Sequence, residues 1–117
     1  MRYVDGFVLP VPAKNLLAYR RMARRAGKIW MEHGALEFVE CVSDDIDDKC
    51  HMPFEKMAKA KRGEVVVFSF IVYKSKAERD RIFDLVMKDP RLDMKMSAMP
   101  FDYKRMAHGG FRAIVDL

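Results

Sequence analysis

Asp5 stands between Tyr3 and Phe7, so at the two-residue period of an extended strand all three side chains share one face. A carboxylate with aromatic neighbours could act as a general base toward a small acidic C–H or O–H, the opening step of an isomerase or a cofactor-free oxygenase. The competing reading is an ionised Asp5 paired with an arginine or with backbone donors. His108, just before Gly109-Gly110, is the natural second group if its segment lies beside the one that carries Asp5. The same three residues echo the glycine-rich oxyanion loops of lipases, but no G-x-S-x-G nucleophile elbow accompanies them. Glu40 interrupts an otherwise apolar strand face and could line a cleft; an edge charge that discourages aggregation is the alternative. Tyr3, Asp5, Glu40 and His108 are therefore the candidate ligand-binding residues, and Asp5 and His108 the candidates for catalysis.

Arg20, Arg21, Arg24, Arg25 and Lys28 follow one another with no acid among them, on the side of a helical wheel opposite an apolar stripe. Phosphate contact would be natural there, which gives a nucleic-acid module as one reading and a solvated outer face as the plain one. Phe68 and Phe70 lie in an almost wholly apolar run, without the interleaved Lys, Arg and Gly of an RNA-binding strand. Cys41, Cys50 and His51, with His33 and His108, could ligate a metal, yet no C-x-x-C pair and no H-E-x-x-H occurs. Asp44, Asp45, Asp47 and Asp48 lack the alternating ligands and central glycine of a calcium loop. Neither a metal nor a cofactor is expected. Met94, Met96, Met99 and Met106 could form an adaptable binding lip, although filling a core is the ordinary use of methionine.

The elements that must place these groups follow from periodicity. Tyr3 to Leu9 reads as a strand stopped by Pro10-Val11-Pro12. Leu16, Tyr19, Met22, Ala23, Ala26, Ile29, Trp30 and His33 share one side of a long helix from about Ala13 to His33, which Gly34 can terminate. Ala35 to Val42 alternates as a partly exposed strand, and Pro53 to Lys61 holds a short helix. Glu64 to Tyr73 is apolar on both faces, which demands cover on both. Ser75 and Glu78 have capping-box spacing at the head of a second main helix, whose core stripe is Ala77, Ile82, Leu85 and Val86. Another short helix between Arg91 and Pro100 and a closing strand from Met106 to Val115 complete the chain.

This order is the split βαβ pattern of ferredoxin-like domains: an α+β fold, one domain over residues 1–117, with a four-stranded antiparallel sheet and helices on one face. The second face of the third strand then lacks a roof, and a homodimer through the open sheet face is the simplest cover. Half of the residues are apolar and a third charged, with a net charge of +5, which excludes a disordered chain and implies no polyanionic partner by itself. Two cysteines are too few for a disulfide framework, and no signal-peptide or membrane-span pattern occurs, so a cytoplasmic location is expected.

The segments Tyr3 to Pro12, Glu64 to Asp80, and Met99-Pro100-Phe101-Asp102 through Gly109-Gly110-Phe111 resemble the YbaA-like family of uncharacterised bacterial proteins, also called domain of unknown function 1428. The resemblance implies a dimeric α/β-barrel. That superfamily includes cofactor-free monooxygenases, haem-degrading enzymes, isomerases and regulatory binding domains, so no single reaction is implied. The leading expectation is a protein that binds a small organic molecule in a cleft, with oxygenase or isomerase turnover as a further step. A nucleic-acid-binding module and a non-catalytic interaction protein are the alternatives.

Overall fold

The computed structural model describes residues 1–92 and 98–117; the helix expected around Met94 and Met96 lies outside the described residues. Strands β1 (Tyr3–Pro12), β2 (Glu37–Val42), β3 (Glu64–Tyr73) and β4 (Ala107–Arg112) pair in the spatial order β2-β3-β1-β4, every neighbour antiparallel. Helix α1 (Leu16–Glu32) joins β1 to β2, α2 (Phe54–Met57) lies between β2 and β3, and α3 (Lys76–Met87) follows β3. This is the ferredoxin-like α+β arrangement.

β1 runs through both prolines that were expected to stop it. β4 pairs with β1 only as far as Val8, so from Leu9 onward β1 has an open edge where residues lacking an N–H are tolerated. After a 3-10 turn over Ala13–Asn15, α1 buries Tyr19, Ala23, Gly27, Ile29 and Trp30. It ends in a Schellman motif: the Gly34 N–H donates to the Met31 carbonyl (3.2 Å) and the Ala35 N–H to that of Trp30 (3.1 Å). Gly34 itself has φ +118°, a conformation that favours glycine.

The core lies between the helices and the sheet face formed by the odd-numbered residues of β1 and β3. Trp30 and Ile29 of α1 meet Ile82 and Val86 of α3 over Ile71 and Tyr73, while Leu9, Val11 and Val67 pack with Tyr19 and Ala23. Each of the larger aliphatic side chains contributes ~1.5–3 kcal/mol by leaving water. The Ser75 hydroxyl accepts from the Glu78 N–H (3.2 Å), which caps α3. Ala77 and Leu85, expected in the α3 stripe, are exposed, because α3 meets the core along the line of Ile82 and Val86 and both residues are turned away from it.

The opposite sheet face is covered unevenly. Val66 and Val72 are buried and Phe54 of α2 meets Phe68 edge-on at 6.5 Å, yet Phe68 is still 44% exposed. The Phe111 ring lies across Gly6 and Gly109, where an added Cβ would stand 3.5 and 3.4 Å from it, and is 63% exposed. Ile114, Val115 and Leu117, beyond the end of β4, are exposed as well. Among the described residues no helix is long and apolar enough to cross a membrane.

Candidate functional site

Two polar constellations stand on the helix side of the sheet. In the first, β1–β4 pairing sets Asp5 opposite Gly110 and Phe7 opposite His108. The His108 ring stacks on Phe7 at 4.6 Å and its Nε2 stands 3.3 Å from Asp5 Oδ1. Asp5 is 3% exposed, and its charge is met by Arg79, with Nη1 at 3.5 Å. Tyr73 hydrogen-bonds to Asp5 and accepts from Trp30 Nε1 at 3.1 Å; burial, then the Asp5 charge, pushes its phenol well above the ordinary value. Arg79 Nη2 donates to the Tyr3 hydroxyl (3.2 Å), and that phenol lies over Gly110, where any Cβ would collide with it. The second glycine of the pair is therefore needed to admit Tyr3. Arg79 Nε is buried and, among the described residues, makes no hydrogen bond, although Asp80 Oδ1 lies 3.1 Å away.

Tyr3, Asp5 and His108 are thus brought together, and the arginine expected as the alternative partner of Asp5 is present. Sequence reading did not single out Arg79. The available signal was its position: Arg79, Ile82 and Val86 stand at i, i+3 and i+7, on the buried line of α3.

The second constellation is a cleft of ≈ 770 Å³ between α1 and β2. Phe38, Glu40 and Val42 of β2 face it, Tyr19, Ala23 and Gly27 of α1 wall it, and Arg20, Arg24 and Lys28 stand at its mouth. A smaller space of ≈ 120 Å³ continues inward among Phe7, Trp30, Phe101 and Met106. Tyr19, Ala23, Phe38 and Glu40 line both. α1 carries a glycine here because a Cβ on Gly27 would come within 2.6 Å of the Phe38 ring.

Glu40 lies opposite Ser69 in the β2–β3 register and accepts a 2.7 Å hydrogen bond from the Tyr19 hydroxyl. Glu40 is solvent-exposed as a residue, yet desolvation of its carboxyl beside Tyr19 raises its pKa against the lowering effect of hydrogen bonds from Tyr19 and Ser69. The Tyr19 phenol is driven up by burial first and by the Glu40 charge second. Of the four candidate ligand residues, Glu40 lines both spaces, whereas Tyr3, Asp5 and His108 line neither. The cation run divides: Arg20, Arg24 and Lys28 turn to the cleft, while Arg21 and Arg25 are exposed and outside its lining. Met99 and Met106 line the inner space, and Met106 packs against the core cluster of Leu9, Val11 and Tyr19. His33 caps α1, with Nε2 3.0 Å from Asp89 of the segment after α3. Cys41 and Cys50 are free and exposed, and among the described residues no three His, Cys, Asp or Glu side chains cluster as a metal would require.

Fold and register define a ferredoxin-like domain, here with a cleft under its first helix, and known proteins share the fold. Residues 2–103 match the family described as Protein of unknown function (DUF1428). The uncharacterized protein YbaA of Escherichia coli (strain K12) is 47% identical over 116 residues, 99% of each chain. The chain belongs to this family. Among solved structures, a putative antibiotic biosynthesis monooxygenase from Nitrosomonas europaea is similar with a TM-score of 0.60, at 10% identity, over 97% of this chain and 90% of that one. A dimeric ferredoxin-like protein from an uncultured marine organism gives 0.56 at 10% identity over 100% of both chains. SnoaB, a cofactor-independent oxygenase from Streptomyces nogalater, gives 0.53 at 12% identity over 99% and 96%. At such identities these structures establish the fold alone.

Proposed function

We propose that this chain binds a small organic molecule in the cleft between α1 and the sheet, with the Tyr19–Glu40 pair as its central polar contact. One observation carries this reading. A carboxylate with a raised pKa stands where the open cleft narrows into an apolar space. Desolvated titratable groups in clefts are where acid–base chemistry concentrates. A bound molecule with an acidic C–H would pass that proton to Glu40. Its return at a neighbouring carbon is an isomerisation, whereas capture of the carbanion by dioxygen is the cofactor-free oxygenase route. The fold shared with a protein described as a cofactor-independent oxygenase supports including dioxygen in the assay.

The Asp5–His108 contact of 3.3 Å favours a second seat for the same chemistry. Arg79 and Tyr73 already engage that carboxylate, which favours Glu40. The nucleic-acid reading is left with Arg21 and Arg25 as its outward cations, a weak basis for tracking a phosphate backbone.

We further infer a homodimer through the open sheet face. The exposed Phe68 and Phe111 support it, as does the description of the marine protein as dimeric.

A thermal-shift screen with small carboxylic acids, phenols and ketones, run with and without dioxygen, tests the binding reading. Ligand in hundredfold excess over Kd stabilises by ~2.7 kcal/mol, a readily measured rise in melting temperature. No rise with any compound would refute it.

A further inference from the structure

The three cations at the cleft mouth are spaced four residues apart, so they rise along one line of α1 and span about 12 Å of its axis. Among the described residues none of Arg20, Arg24 and Lys28 has an acid within ion-pair distance, whereas Arg2, Arg79, Arg81, Arg91 and Arg105 all do. Glu32, the other acid of the lining, is taken by Arg91 at 2.7 Å. Below the cations the surface turns apolar, with Phe38, Val42 and Ala23, and the apolar space continues inward to Trp30.

We propose that the ligand of this cleft is an amphipathic organic acid. Its carboxylate is held at the mouth by Arg20, Arg24 and Lys28, and its apolar body lies along Phe38 toward the inner space. The assignment rests on the binding reading above and adds the chemical class to it. Guanidinium groups favour a carboxylate because their paired N–H donors match its two oxygens. Uncompensated cations beside an apolar wall draw in such an anion and reject its neutral analogue. Glu40, the remaining acid of the lining, accepts from the Tyr19 hydroxyl at 2.7 Å and, among the described residues, forms no ion pair with the three cations.

The experiment compares naphthalene-2-carboxylate with naphthalene-2-carboxamide by calorimetric titration against the wild-type chain, Arg20→Gln/Arg24→Gln, Arg21→Gln/Arg25→Gln and Arg24→Lys. The wild type is expected to bind the acid about tenfold more tightly than the amide, a preference that shrinks at high salt. Arg20→Gln/Arg24→Gln should bring the acid down to the amide, Arg24→Lys should restore part of the preference, and Arg21→Gln/Arg25→Gln should keep it. Equal affinity for acid and amide in the wild type overturns the anion assignment and leaves the cleft reading standing. Binding of neither overturns both. An equal loss from Arg21→Gln/Arg25→Gln, with displacement of the acid by a short RNA, overturns the assignment in favour of a nucleic-acid surface on the helix. Circular dichroism of each variant separates loss of the site from loss of the fold.

Discussion

Glu40 and Glu64 stand on neighbouring strands, and their surroundings push them in opposite directions. Arg105 grips Glu64 with two hydrogen bonds of 2.6 and 2.7 Å, and chiefly that contact holds the Glu64 carboxyl at about 2 instead of the ordinary 4.5. A depressed value means that Glu64 stabilises the fold fully above about pH 4.5 and loses that contribution as pH falls toward 2. Arg105→Ala should therefore cost ~1.5–3 kcal/mol at neutral pH in urea unfolding, with the difference from wild type largely gone near pH 2. An equal difference at both pH values would show that the arginine acts through packing. Glu40 has the reverse sign: its raised value makes the folded state prefer the protonated acid, so the fold loses stability as pH rises through that value. Glu40→Gln should raise the melting temperature at pH 8 and weaken ligand binding, a combination expected of a residue kept for function. A lower melting temperature at pH 8 would mark Glu40 as structural. Neither sign was legible in the sequence, because both depend on Tyr19, Ser69 and Arg105, which only the folded chain brings near.

At the scale of elements, α1 was legible because its stripe of Tyr19, Ala23, Ile29 and Trp30 repeats with the helical period and ends on Gly34. β3 was legible as a strand apolar on both faces. The β1–β4 pairing that joins Asp5 to His108 followed from the topology, but the register did not, since it is set by side-chain packing across the sheet. The cleft was illegible because it depends on how far α1 stands from β2, a distance governed by Gly27 against Phe38. Gly27→Ala tests that spacing. The new methyl must displace the ring, costing ~1–3 kcal/mol of overpacking against a gain of ~0.5–1 kcal/mol in helix propensity. The expected result is a net loss of stability with weaker ligand binding, read by denaturation and titration together. Unchanged affinity would separate the helix–strand spacing from the site.

For the whole molecule, an exposed apolar patch remains on the side of the sheet away from α1 and α3. The expected lack of a roof was partly met within the chain, since α2 brings Phe54 against Phe68 and Val66 and Val72 are buried. What stays uncovered is centred on Phe68 and Phe111. Sedimentation equilibrium should give a dimer at micromolar concentration for the wild type and a folded monomer for Phe68→Glu, because a charge placed at an apolar interface is costly to bury. A wild-type monomer would contradict the proposed assembly, while the cleft, built within one chain, would be unaffected.

Ligand entry between α1 and β2 is the proposal on which the binding predictions rest. Backbone amide shifts of the labelled protein, titrated with naphthalene-2-carboxylate, test it most directly. Shifts are expected to concentrate at residues 19–28 and 38–42. Shifts confined to β4 and the Phe68 face, or around Asp5 and His108 alone, would contradict it.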